Sequence, residues 1–98
     1  MECIIMNPQD NVATVLKKCI PGDKLIIADT EMKEVGNIMV TEEIPFAHKV
    51  CLQEIKEGDP VIKYGQVIGK AKSHILPGNY VHVHNVVSIA GAGRLQTD

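Results

Sequence analysis

Tryptophan is absent from this sequence, phenylalanine occurs once and tyrosine twice. Aromatic platforms for stacking single-stranded bases are therefore scarce. Clustered positive charge is missing too. The ten Lys and Arg residues are scattered, Lys17-Lys18 being the only adjacent pair, and the formal net charge is −2. A nucleic-acid footprint needs a basic stripe to displace counterions, so no nucleic-acid partner is expected. No CxxC pair occurs. Cys3, Cys19 and Cys51 are an odd number of thiols, widely spaced in apolar runs, a pattern unlike a disulfide framework or a zinc knuckle. They are expected to be buried free thiols in a reducing compartment. No apolar run approaches the length of a membrane span, and no charged-then-apolar leader opens the chain. The expectation is a cytoplasmic protein without membrane contact. At 98 residues the chain has room for one domain with a thin core, which favours a module over a complete enzyme with a deep cleft.

What is present begins with Glu2-Cys3-Ile4-Ile5-Met6, which reads as a short strand closed by Asn7-Pro8. Val12, Val15, Leu16 and Cys19 then recur at the offsets of one helical face. Asp10 stands where an N-cap belongs, Lys17-Lys18 where the helix dipole favours cations, and Pro21-Gly22 closes the segment. One short N-terminal helix is predicted here. The rest reads as β-structure: Lys24 to Ala28, Gly36 to Thr41, Lys49 to Ile55, Pro60 to Tyr64, Gln66 to Ala71 and Tyr80 to Ile89. Asp29 to Val35 carries four charges and reads as a solvated loop. Short β-branched segments punctuated by Gly and Pro suggest a compact barrel or folded sheet.

One turn recurs three times, at Ile20-Pro21-Gly22-Asp23-Lys24-Leu25, Ile55-Lys56-Glu57-Gly58-Asp59-Pro60-Val61 and Ile75-Leu76-Pro77-Gly78-Asn79-Tyr80-Val81. Gly supplies a positive φ, and the Asp or Asn that follows can brace its own backbone. The spacings are unequal, so this is reused turn chemistry rather than a solenoid. Ala90 to Asp98 loses all periodicity and is expected to be a flexible tail beyond a domain of residues 1–89.

The densest polar constellation is Tyr80-Val81-His82-Val83-His84-Asn85-Val86-Val87. Its alternation predicts one strand with His82 and His84 on a shared face, their Cα atoms roughly 6.5–7 Å apart. Such imidazoles can ligate a metal, shuttle protons on an acidic substrate, or simply face solvent. Two histidines make half a metal site at most, and no HExxH completes it. Pro45-Phe46-Ala47 delivers His48-Lys49 side by side, either an anion-recognition corner or an ordinary exposed strand start. Lys63 and Tyr64 stand beside Gly65, which with Gly69 suits a tight β-turn or a close backbone approach, and phosphate-loop spacing is absent. His74 stands alone.

Four blocks in one order then identify a likeness: Asp10-Asn11-Val12-Ala13, Ile44 to Val50, Gly58 to Gly69, and Val81-His82-Val83-His84-Asn85. Together they closely resemble the N-terminal SAF-type domain of the altronate and galactarate dehydratase family, which also includes sulfolactate sulfo-lyase. The resemblance spans about residues 4 to 87 and implies a mainly β, compact β-clip fold. It implies a small subunit, inactive alone, that assists a separate large catalytic subunit in eliminating water from a sugar acid. A divalent metal, iron or manganese, is implied in that partner. Carried over residue by residue, His48 and Lys49, Lys63 and Tyr64, and Asn85 are expected to bind substrate. His82 and His84 are expected to act in proton transfer or to complete the metal shell. Ala47 departs from the family pattern, which usually has Gly there. Other readings stay open: the small subunit of a sulfolactate sulfo-lyase, a stand-alone module binding an acid or a metal, or a purely structural part. Self-association into a homo-oligomer stays open as well.

Overall fold

A computed structural model describes residues 2–88. Among these residues there are nine strands and no helix: β1 (Cys3–Ile4), β2 (Val12–Val15), β3 (Lys24–Ala28), β4 (Glu34–Met39), β5 (Lys49–Cys51), β6 (Pro60–Lys63), β7 (Gln66–Ala71), β8 (Tyr80–Val81) and β9 (Val86–Ser88). The longer sheet runs β4-β3-β1-β2-β5-β8 and the shorter β6-β7-β9. Among the described residues only β1 and β3 pair in parallel. The mainly β, compact fold expected above is present.

The expected N-terminal helix is not. Val12, Thr14 and Val15 are β-branched, and β2 pairs with β5 through Val12↔Cys51, Ala13↔Val50 and Thr14↔Lys49. Both faces of β2 are covered. Val12 packs with Cys51, Ile55, Val61, Ala71, Ile75 and Val81, whereas Ala13 and Val15 join a second core around Leu25, Ile44 and Val50. A helix would expose one of those faces, and a nucleus this short is costly to form. Asp10 caps no helix either. Its carboxylate is fully buried and accepts the backbone N–H groups of Asn7, Tyr64 and Gly65 at 3.1, 3.0 and 2.8 Å. It thereby ties the β6–β7 hairpin, whose turn residues Tyr64 and Gly65 both have positive φ, to the start of β2.

The three expected turns are real and share one bonding scheme. Gly22, Gly58 and Gly78 have φ of 97°, 89° and 92°. In each turn the following Asp or Asn braces the backbone: Asp23 Oδ2 accepts from Ile20 N–H, Asp59 Oδ2 from Lys56 N–H, and Asn79 Oδ1 from Leu76 N–H. Each turn also docks on a buried residue elsewhere. Gly22 N–H donates to Val40 O while Val40 N–H donates to Asp23 O, and the pairs Gly58–Ala71–Asp59 and Gly78–Cys51–Asn79 repeat this. Every turn is thus braced from within and stapled from outside.

The structure contains a fourth copy, at Ile44-Pro45-Phe46-Ala47-His48-Lys49-Val50. Ala47 N–H donates to Val15 O, Val15 N–H to His48 O, and His48 N–H to Pro45 O, at 3.0, 2.9 and 3.1 Å. The apolar positions match as well, with Ile44 and Val50 as buried as Ile55 and Val61. Ala-His in place of Gly-Asp hides this copy in the sequence.

Candidate functional site

The fourth turn differs from the other three in one decisive respect. Its second residue is Pro45, which has no N–H to brace. Where the other turns need an Asp or Asn carboxamide or carboxylate, this one can carry any side chain, and it carries His48. Relief of a structural duty thus places an imidazole at the end of a short, well-paired strand.

β5 sets where that imidazole points. Lys49 pairs with Val81 and Val50 with Tyr80, so the same register continued one residue sets His48 opposite His82. Their ring centroids lie 4.5 Å apart. Tyr80 completes the group. Its hydroxyl meets His48 Nδ1 at 2.6 Å, and its ring stacks on His82 at 5.6 Å and 9°. His84 reaches the Tyr80 ring at 5.1 Å. Tyr80 was not singled out from the sequence. Its position two residues before His82, on the same side of the alternation, was the available signal.

The expected single strand from Tyr80 to Ile89 is corrected by the structure. It breaks at residues 82–85 into a turn, so His82 and His84 do not share a strand face. Asn85 causes the break. Its Oδ1 accepts from His82 N–H, its Nδ2 donates to Tyr80 O, and its own N–H donates to His82 O. The amide of Asn85 is therefore occupied in holding the turn that carries both histidines, and it is 8% exposed.

Lys49 is half-buried beside the imidazoles. Burial, and then the charge of Lys63, hold its ammonium below the ordinary lysine range. His82 is likewise held below the usual imidazole value, by burial first and then by His48, Lys49 and His84. Lys49 and His82 lie on the wall of a cavity of 240 Å³, together with Ile68, Val83, Val86 and Ser88. Lys63 Nζ sits 5.1 Å from the centre of the exposed Tyr64 ring. His48, Lys49, His82, His84 and Lys63 thus gather at one edge. His74 lies elsewhere, paired with Glu54.

Such an edge offers donors of the kind that a carboxylate or another anion needs. Lys49 and His82, whose charged forms are disfavoured by burial and by the basic groups around them, would both be relieved by a nearby carboxylate. Among the described residues no three His, Cys, Asp or Glu side chains converge where a metal ion could be held. His48 Nδ1 is engaged with Tyr80, and His84 meets the face of that tyrosine.

Fold and edge together define a small β-module that presents a cationic, imidazole-rich rim. The chain belongs to the altronate/galactarate dehydratase SAF domain family, whose match covers residues 1–89. Altronate dehydratase of Bacillus subtilis (strain 168) is 38% identical over 82 residues, 84% of this chain and 15% of that protein. Altronate dehydratase of Escherichia coli (strain K12) is 32% identical over 85 residues, 87% of this chain and 16% of that protein. The (2R)-sulfolactate sulfo-lyase subunit alpha of Paracoccus pantotrophus is 49% identical over 43 residues, 44% of this chain and 64% of that subunit. The matched segments cover about a sixth of the altronate dehydratases and under two thirds of the sulfo-lyase subunit.

Proposed function

We propose that this chain is the substrate-closing module of a hydroxy-acid lyase, acting on a sugar acid of the altronate or galactarate type held by a large catalytic subunit. The observation that carries the reading is the 4.5 Å approach of His48 and His82 beside Lys49, within a chain of this family. Lys49 and Lys63 pair with a substrate carboxylate, which lowers the pKa of the adjacent carbon acid. His82 and His84, the first already inclined to the neutral state at physiological pH, move the proton taken from that carbon. Water leaves from the neighbouring carbon, and docking of the module excludes solvent and strengthens these contacts. A divalent metal, iron or manganese, belongs to the large subunit in this reading and would assist the leaving group. None of this chain's steps runs through it. The complex is cytoplasmic, and the isolated chain turns over no substrate.

A second reading is favoured by one observation. The relatives from Paracoccus pantotrophus and Chromohalobacter salexigens are separate subunits, of which the matched segments make up 64% and 50%. On that reading sulfite, not water, leaves.

The test combines the purified chain with a candidate large subunit and offers altronate, galactarate and sulfolactate in turn. The preferred acid fixes the leaving group. His48→Ala and His84→Ala mixtures are expected to lose roughly tenfold or more in kcat/KM. Parental rates in both would end the closing role. Binding of the acid by the chain alone, with no effect on the large subunit, would favour a stand-alone acid-binding module.

A further inference from the structure

We propose that Tyr80 is the positioning residue of His48: its hydroxyl donates to Nδ1 and holds the neutral ring as the Nε2–H tautomer. His48 is thereby a fixed hydrogen-bond donor toward an incoming carboxylate, not a base. The role assigned to the carboxylate rests on the reading above, whereas the tautomer does not.

Three observations lead here. The contact is short, 2.6 Å from Tyr80 Oη to His48 Nδ1, and it spans two strands. A phenol donates more readily than it accepts, so facing a neutral imidazole it gives its proton to the unprotonated nitrogen. That nitrogen is then Nδ1, and the ring hydrogen resides on Nε2. Next, the tyrosine cannot easily swing away. Its ring is stacked on His82 at 9° and touched by His84, and its backbone N–H donates to Glu42 Oε1. Finally, the side chain of His48 braces no turn, although its backbone closes one. Asp23, Asp59 and Asn79 all brace their turns through a side chain, but Pro45 removes that need from His48. Its contact with Tyr80 accordingly serves the ring's orientation.

The tautomer is read directly by nitrogen NMR of the isotope-labelled full chain above the imidazole titration range, with His48 assigned by its loss in His48→Gln. A protonated Nε2 and a hydrogen-bonded, unprotonated Nδ1 are expected. In Tyr80→Phe, which keeps the ring stack, Nδ1 should shift toward its unbonded value and the tautomers should mix. An Nδ1–H form in the parent, or an unchanged His48 spectrum in Tyr80→Phe, would overturn the proposal. Should that variant fail to fold, a slowly exchanging Tyr80 hydroxyl proton coupled to His48 Nδ1 in the parent supports it, and an Nδ1-bound proton there refutes it. In the assembled lyase, Tyr80→Phe should lower kcat/KM about tenfold through KM, the loss of one oriented hydrogen bond. His48→Gln, whose amide N–H lies near the Nε2 position, should retain more activity than His48→Asn. If the tautomer stands and all three variants match the parent, the substrate-facing reading falls and the positioning remains.

Discussion

Asp10 and Ala47 both occupy positions that their residue types do not favour, and they do so for opposite reasons. Asp10 is a carboxylate without exposure, satisfied by three backbone amides that no other side chain of its length could gather. Ala47 has a φ of 72°, a left-handed conformation that costs a residue with a Cβ roughly 1–2 kcal/mol. Glycine there would relieve that strain but add freedom to the unfolded chain, worth about 0.4–1 kcal/mol in the other direction. Ala47→Gly is therefore expected to stabilise the fold by up to about 1.5 kcal/mol in denaturant titration. A clear loss of stability would mean that the methyl group holds the turn. The thiols need no such balance. Burial pushes Cys3 up to about 12 and Cys51 up to about 11, and raises Cys19 as well, so all three stay protonated inside the cores.

At the scale of elements, four turns of one design carry the sheet connections, and the glycines in three of them differ in their surroundings. A Cβ on Gly22 or Gly58 meets nothing within 4 Å, whereas one on Gly78 would lie 2.2 Å from Met39 O. Gly22→Ala and Gly58→Ala should each cost roughly 1–2 kcal/mol, the backbone penalty alone. Gly78→Ala adds a clash with main chain and should cost about 3 kcal/mol or more. Equal losses in all three, measured by thermal or chemical unfolding, would show that the turns tolerate the contact by moving. The shared scheme also explains which strands were legible. Lys24 to Ala28 and Gln66 to Ala71 were read at their observed bounds because β-branched residues run between clear turn signals. The segment from Val12 to Cys19 misled because apolar residues at helical offsets also fit a strand buried on both faces. Alternation through His82 and His84 misled for another reason: Asn85 ties residues 82–85 into a turn, and period-2 patterning does not register side-chain-to-backbone bonds.

The whole molecule joins two small cores through β2 and β5, and its cationic rim lies where β5 meets β8. Like charges there impose a pH dependence. His82, held below its ordinary 6.5 by burial and by His48, Lys49 and His84, binds fewer protons folded than unfolded. Its contribution is thus fully present above the ordinary value and is lost as pH falls through the lowered one. Between about pH 7.5 and 5 the parent should lose more stability than His82→Gln, and a dicarboxylate should offset part of that loss. Identical pH profiles for the two proteins would remove the electrostatic account of the rim. No helix among the described residues is long and apolar enough to cross a membrane. The tail expected at residues 90–98 lies outside the described residues.

Composition, turn chemistry and four ordered motifs were enough, by themselves, to determine a mainly β module of this family and to name the residues of its rim, because local φ preferences and side-chain types are written in the chain. The meeting of His48 with His82 and the clasp of Tyr80 on His48 were decided by tertiary structure alone. Those contacts depend on the register of β5 against β8, two strands separated by 28 residues of chain, from Cys51 to Tyr80. Such pairing is set by the burial of Val50 and Val81 in separate cores, a condition that no local window of sequence contains.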